Sequence, residues 1–475
     1  MNKPLFYRLD WVVILCYLSL VFFGLINIFS STYNTNKSQI VDLQINQNYN
    51  DRNLLPNEFS NEIDESIDKQ INTQKVIQKN KEVNKQHNEI ISFKQLIDIN
   101  SLSGKHFIVF IVSIVFGFFI LFIRTQFFQQ LSYLIYFISI LCLIGLFFFG
   151  ISINSATSWY IINGISIQPS ELAKIGAVFA LSRHLSDFNT DLKKIGSLIK
   201  GIILILVPSV LIILQPDPGS AIIFGALFLI FFREGLSFRY LIISIFGIIL
   251  FISTLLFSFN YIIISIACIT LIIIFFVKKS YKKIKVSTFF IYMISSIIFV
   301  LSVNFIFNSI FEQRHRDRFN VILGIVEDTK GLGYNINQSK IAIGSGGLIG
   351  KGFLEGTQTK GNFVPEQQTD YIFSTVGEEW GFIGSFGLII VFLILITRML
   401  NQAEKQSNIY RRNFIYGISS LILSHFTINI GMSLGLVPTI GIPLPFISSG
   451  GSNLLAFSLM IFIYLNFDAN RLNHW

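Results

Sequence analysis

"YLIISIFGIILFISTLLFSFNYIIISIACITLIIIFFV", residues 240 to 277, contains no Asp, Glu, Lys or Arg. As one helix the region 239 to 277 would reach about 58 Å at 1.5 Å per residue, nearly twice the ~30 Å of hydrocarbon in a bilayer. It therefore predicts two membrane spans that break around "FSFN" (257 to 260). Working outward, apolar windows of spanning length recur at 11 to 31, 106 to 124, 131 to 150, 170 to 187, 199 to 214 and 219 to 233. Others follow at 287 to 309, 371 to 397, 413 to 434 and 447 to 466, about twelve spans in all. With 52% hydrophobic and 13% charged residues among 475, an ordinary soluble domain is excluded. The expected fold is an all-α polytopic integral membrane protein, a helical bundle with one large loop on its outer face.

Lys3 and Arg8 precede the first span and no small-residue cleavage site follows it, so it reads as an anchor with the amino terminus inside. Alternation then places "LKK" (192 to 194), "REGLSFR" (233 to 239), "KKSYKKIK" (278 to 285) and "RMLNQAEKQSNIYRR" (398 to 412) on the inner face. This is the positive-inside pattern, and it accounts for the net charge of +9 without invoking nucleic acid. Both termini fall inside. The loops 151 to 169, 214 to 219, 310 to 370 and 435 to 446 fall outside, with a polar, mostly disordered insert at 32 to 104. The expected divisions are 1 to 31, the insert 32 to 104, a transmembrane core 105 to 309, the outer loop 310 to 370 and carboxy-terminal helices 371 to 475. Cys16, Cys142 and Cys268 lie in apolar runs and suggest no disulfide; no two histidines stand at metal-ligand spacing, so no tightly bound metal is expected.

Every unusual polar motif is thus on one face. In "QPSELAK" (168 to 174), Glu171 and Lys174 share a helix face, either as a self-neutralising pair or lining a water-filled cavity. "QPDPGSA" (215 to 221) is either a tight turn between helices or a functional site through Gln215 or Asp217. The outer loop carries Arg314, Arg316 and Arg318, an interfacial charge cluster or a set of phosphate contacts. Its "NQSKIAIGSGGLIGKG" (337 to 352) fails the nucleotide-binding pattern at Ser345 and Gly352 and reads as a segment that packs closely or hugs the membrane surface. In "FVPEQQTDYIFSTVGEEWG" (363 to 381), Asp370 stands where a helix N-cap belongs, and Glu366, Glu378 and Glu379 crowd the same entrance.

Together with "SWYIINGISIQPSELAK" (158 to 174) and "GIPLPFISSGGS" (441 to 452), these motifs resemble the SEDS family of shape, elongation, division and sporulation proteins, over nearly the whole chain except 32 to 104 and part of 239 to 309. Within it, "GKGFLEGTQTK" followed by "PEQQTDYIF" is nearer the elongation branch than the division branch. The resemblance implies a peptidoglycan glycosyltransferase that polymerises lipid II into β-1,4 glycan for elongation and rod shape, releasing undecaprenyl pyrophosphate. It implies a class B penicillin-binding protein (a transpeptidase) and the elongation machinery as partners, and a location in the bacterial inner membrane with the 310 to 370 loop extracytoplasmic and catalytic.

The family's essential aspartate falls on Asp370, and its Q-P-S-E-x-x-K residues on Gln168, Pro169, Ser170, Glu171 and Lys174. Trp159, Gln215, Asp217, Arg314, Arg318 and Glu366 complete the expected substrate-binding set. No cofactor is expected beyond a transient divalent cation. Two departures stand out: Ser155 and Thr157 replace the family's Gly and basic residue before Trp159, and about twelve spans replace the usual ten. Alternatives are a division-type glycosyltransferase, a lipid II flippase and a non-enzymatic scaffold.

Overall fold

The computed structural model describes residues 5–33, 101–153, 156–162, 165–280, 286–310, 313–323, 325 and 332–471. Ser155 and nearly all of the 32 to 104 insert lie outside these residues. In chain order come α1 (Trp11–Thr32), α2 (Leu102–Phe122) and α3 (Thr125–Phe149), then an antiparallel sheet of β1 (Ile151–Ile153), β2 (Ala156–Ile162) and β3 (Ile165–Ile167). Next are α4 (Pro169–Ser186), α5 (Ile195–Ile213), α6 (Pro218–Phe224), α7 (Phe228–Arg233), α8 (Arg239–Leu256), α9 (Phe259–Ser280) and α10 (Val286–Phe305). The outer loop contains α11 (Gln313–Ile322), α12 (Leu332–Ser345) and α13 (Thr357–Lys360), and α14 (Ile372–Glu404), α15 (Ile409–Ser433) and α16 (Gly451–Ala469) complete the chain.

Helices occupy all twelve expected places, α6 and α7 sharing one, and α8 and α9 part at Phe257 as the unbroken apolar run requires. Among the described residues nine helices are long and apolar enough to cross a membrane. The three other places differ for visible reasons. α4 carries Glu171, Lys174 and Arg183; α6 and α7 are divided by a tighter turn at Gly225–Leu227; the apolar stretch of α9 is Phe259–Ile272.

Aromatic stacking marks the centre of the bundle, where Phe179 of α4 lies 4.7 Å from Phe414 of α15 and 6.0 Å from Phe128 of α3. Helices α8 to α10 form a unit with its own small core of Leu250, Ile262, Ile266 and Val300. An apolar cleft of about 1280 Å³ opens among them, lined by Phe246, Phe251, Tyr292 and Phe299 and none of the polar motifs. An apolar cleft on a lipid-facing unit needs no polar function.

Opposite ends of the bundle differ in chemistry. At one end Asp10 accepts from Arg398 (2.8 Å) and Tyr464 (3.1 Å), Arg412 pairs with Glu234 (2.8 Å), and Arg411 donates to Thr125 (2.7 Å). The motifs read as outer meet at the other end. Thr157 donates its N–H to the Gln215 carbonyl (3.2 Å), Ser449 to that of Gln368 (2.8 Å), and the Gln168 N–H to Ser452 Oγ (3.1 Å).

The acidic entrance to α14 differs from a simple helix start. Asp370 is not its N-cap; Tyr371 holds that position, without a side-chain cap. The helix kinks at Gly381 (φ 64°, ψ −160°), a conformation essentially restricted to glycine. Here the Gly-rich turn 346–350 crosses α14: Phe382 donates to the Gly347 carbonyl (2.9 Å) and Ile383 to that of Leu348 (3.1 Å). A Cβ on Gly381 would lie 2.3 Å from Gly350 N. The turn therefore packs closely, as its composition suggests. Gly381→Ala is expected to cost about 1 to 3 kcal/mol from backbone strain alone. A lowered unfolding midpoint in detergent checks this, with Gly387→Ala, which would meet no atom within 4 Å, as the unaffected control.

Candidate active site

Asp370 is half-buried at the end of the bundle where the outer motifs meet. Its main-chain carbonyl accepts from Asn429 Nδ2 at 2.8 Å, and its carboxylate faces Gly441, where an added Cβ would lie 3.5 Å from Oδ2. The neighbouring Ser448 Oγ donates to the Thr369 carbonyl (2.6 Å), and Tyr371 pairs with Thr439 (2.7 Å), so the outer loop and the 435 to 446 loop are stitched together on both sides of it. Burial pushes the Asp370 carboxyl up to about 7; the charges of Glu366 and Asp217 push the same way, and Arg318 opposes them. A carboxyl in that range is matched to proton transfer near neutrality. Arg318 is thus a cation whose charge acts on Asp370. Arg316 donates to the Asn308 carbonyl (3.2 Å), and the side chain of Arg314 lies outside the described residues.

Glu366 has a left-handed backbone (φ 52°), is exposed, and accepts from Thr369 Oγ1 (3.1 Å). Asp217 caps α6 through the Ser220 N–H (3.0 Å) and also accepts from Gln168 Nε2 (3.2 Å), so Gln168, Asp217 and Ser220 form one cluster, and the charge of Asp217 acts on Asp370. Gln215 is buried and donates to the Leu143 carbonyl (2.8 Å), fastening the turn to α3. Of the two readings of "QPDPGSA", the turn is thereby explained by Gln215, while Asp217 both caps a helix and contributes charge at Asp370. Trp159 is half-buried on the middle strand, opposite Ile151.

Glu171 and Lys174 meet at 2.8 Å, but they line no open cavity. Their exposures are 3% and 1%. The Phe457 ring lies 5.3 Å from the Lys174 ammonium. Lys174 has a second partner, His425 Nε2, at 2.9 Å, while Glu171 Oε2 and Ser170 Oγ are buried without one. Of the two readings, the burial and the 2.8 Å contact favour a sealed, self-neutralising pair over a water-filled lining.

Glu378 and Glu379 have structural work. Glu378 accepts from Lys351 Nζ (2.7 Å) and from the N–H groups of Thr357, Gln358 and Thr359 (2.8 Å each), which are the orphan donors at the start of α13. Glu379 accepts from Ser30 and lies 3.7 Å from Lys360, whose ammonium also bonds Ser30; burial lowers Lys360 to about 8. These contacts fasten the loop to α1. His425 and Asn429 were not among the expected site residues; their signal was a histidine and an asparagine four apart within a membrane span. Among the described residues no group of three or more His, Cys, Asp and Glu is placed to hold a metal ion.

A polytopic helical membrane protein with a raised carboxyl at one end of its bundle is the class that fold and site define. A family model described as a cell cycle protein, for FtsW, RodA and SpoVE, matches residues 88–265 and 261–473. The chain belongs to the FtsW/RodA/SpoVE family. The peptidoglycan glycosyltransferase MrdB of Escherichia coli K12 is 30% identical over 344 residues, covering 71% of this chain and 77% of MrdB. The peptidoglycan glycosyltransferase RodA of Treponema pallidum is 30% identical over 362 residues, covering 70% and 82%. A chain of a peptidoglycan synthase complex whose structure concerns coordination of polymerization and crosslinking shares the fold with a TM-score of 0.62 at 19% identity, covering 98% of this chain and 99% of its own. Thermus thermophilus RodA does so with a TM-score of 0.54 at 18% identity, covering 98% and 97%.

Proposed function

We propose that this chain is a peptidoglycan glycosyltransferase that polymerises lipid II into β-1,4 glycan strands for cell elongation, releasing undecaprenyl pyrophosphate. Relatives named as peptidoglycan glycosyltransferases support the activity. The carrying observation in the molecule is Asp370, a carboxyl raised to about 7 at the meeting point of the outer motifs. An α-linked donor becoming a β-linked product requires inversion, and a single in-line displacement gives it. The acceptor C4 hydroxyl loses its proton to Asp370 as its oxygen bonds to donor C1. The C1–O bond to pyrophosphate breaks, and the leaving group carries away the electron pair as an anion. Arg318, whose charge acts on Asp370, would stabilise it. A transient divalent cation at the pyrophosphate is a further part of the proposal.

The partner proposed is a class B penicillin-binding protein, supported by the neighbour's pairing of polymerization with crosslinking. Sidedness follows from the basic inner loops: both termini cytoplasmic, the 310 to 370 loop outside, in the inner membrane. A probable FtsW of Enterococcus hirae is also 30% identical, over 332 residues, which keeps a division role as the second reading. Rescue of an elongation-defective strain, but not of a division-defective one, separates the two.

The test of the activity is purified protein with lipid II in detergent, where no membrane exists to cross. Long glycan is expected; none would leave the flippase or scaffold reading. Because Asp370 must be unprotonated to accept the hydroxyl proton, the rate should climb with pH and level off above about 7. A flat profile from pH 5.5 to 8 would remove Asp370 from the base role.

A further inference from the structure

Two side chains one turn apart on α15 stand between the sealed ion pair and Asp370. His425 Nδ1 donates to the Pro443 carbonyl (3.0 Å), and its Nε2 lies 2.9 Å from the Lys174 ammonium. Asn429 Nδ2 donates both to the adjacent Ile442 carbonyl (2.7 Å) and to the Asp370 carbonyl (2.8 Å). Residues four apart share a helix face, so one face of α15 holds two consecutive loop carbonyls while reaching Lys174 on one side and Asp370 on the other. His425 is 2% exposed and Asn429 fully buried, so water does not compete for these bonds.

Their chemistry fixes the direction of each contact. An ammonium only donates and a carbonyl only accepts, so His425 is a neutral ring with its proton on Nδ1. Gly441, next along the loop, faces the Asp370 carboxylate.

We propose that His425 and Asn429 are positioning residues, a clamp that sets the Asp370 main chain and the Gly441 wall in register with the Lys174–Glu171 pair. The proposal rests on the reading of Asp370 as the base of a lipid II polymerase. Neither side chain touches the reacting atoms; both act through what they hold. Displacement of a reacting group by about 1 Å costs on the order of 100-fold in rate, so losing the clamp should be felt in turnover rather than in lipid II binding.

The test uses the full chain in detergent. His425→Phe keeps a flat ring and removes both bonds, whereas His425→Gln keeps one donor and one acceptor. Expected for His425→Phe is a fall of about 100-fold in kcat at unchanged KM, with recovery to within about tenfold in His425→Gln. Asn429→Leu should behave like His425→Phe. A second readout needs no activity. The ¹⁵N spectrum of labelled histidine should show His425 as the Nδ1–H tautomer, with an Nε2 resonance that moves in Lys174→Met. An Nε2–H tautomer, a resonance indifferent to Lys174→Met, or wild-type turnover in His425→Phe beside an inactive Asp370→Asn would each overturn the clamp. If the wild-type chain makes no glycan, the polymerase reading fails instead, and the tautomer alone decides whether the clamp exists.

Discussion

Asp370→Asn should abolish glycan synthesis while making the protein harder to unfold above neutral pH. The first half follows from the chemistry: a positioned general base contributes typically 10² to 10⁴-fold, and an amide cannot take its proton. The second half follows from linkage. The Asp370 carboxyl rises from an ordinary 3.8 to about 7 in the folded protein. A group whose folded value is raised adds stability that is complete below the unfolded value and lost as pH rises through the folded one. Above pH 7 the wild type therefore holds a carboxylate that burial and its acidic neighbours disfavour, and the neutral amide relieves it. The gain in unfolding midpoint over wild type should be larger at pH 8 than at pH 5. An inactive variant destabilised at both pH values would indicate a structural role instead.

Lys174→Met should be among the most destabilising single changes. Removing one partner of a buried ion pair leaves an uncompensated charge, a loss of about 3 to 5 kcal/mol. Glu171 would then lose its 2.8 Å partner while already carrying one oxygen without any. The double change Glu171→Gln with Lys174→Met removes both charges and should recover most of the lost midpoint. If the pair served stability alone, polymerisation would recover too. The expected result is that it does not, because His425 still lacks the ammonium that completes its contact. Measuring midpoint and turnover on the same three samples separates the two roles, and full recovery of activity would confine the pair to structure.

The spans were legible because bilayer thickness converts directly into a count of apolar residues, and the break near 257 had to exist once the run exceeded what one helix can cross. Asp370 was legible only through its motif; as an isolated Asp before a helix it read as a cap, and the structure gives it no capping bond. Glu378 and Glu379 could not be interpreted locally, since their partners at 351 to 360 and at Ser30 arrive through a glycine-rich crossing that no helical periodicity encodes. The sheet at 151 to 167 had a readable sign in Asn163-Gly164 set between isoleucines, a hairpin signal. Burial of the Glu171–Lys174 pair was not readable at all. A sealed pair and a cavity-lining pair share the same sequence spacing, and only their burial in the folded chain tells one from the other.

The bonds joining Ser30 to the outer loop also have an order in time. Ser30 and Lys360 are 330 positions apart, and Asp10 and Tyr464 are 454. At about 5 to 20 residues per second, the first helix waits roughly 15 to 65 seconds in the bilayer before Lys360 is made. Throughout that interval the Asn27 side-chain oxygen, which later receives the Trp380 N–H at 3.2 Å, and the Ser30 hydroxyl lack the partners they finally take. Chains cut short before residue 360 should therefore reach the membrane yet present an unfinished polar end of α1.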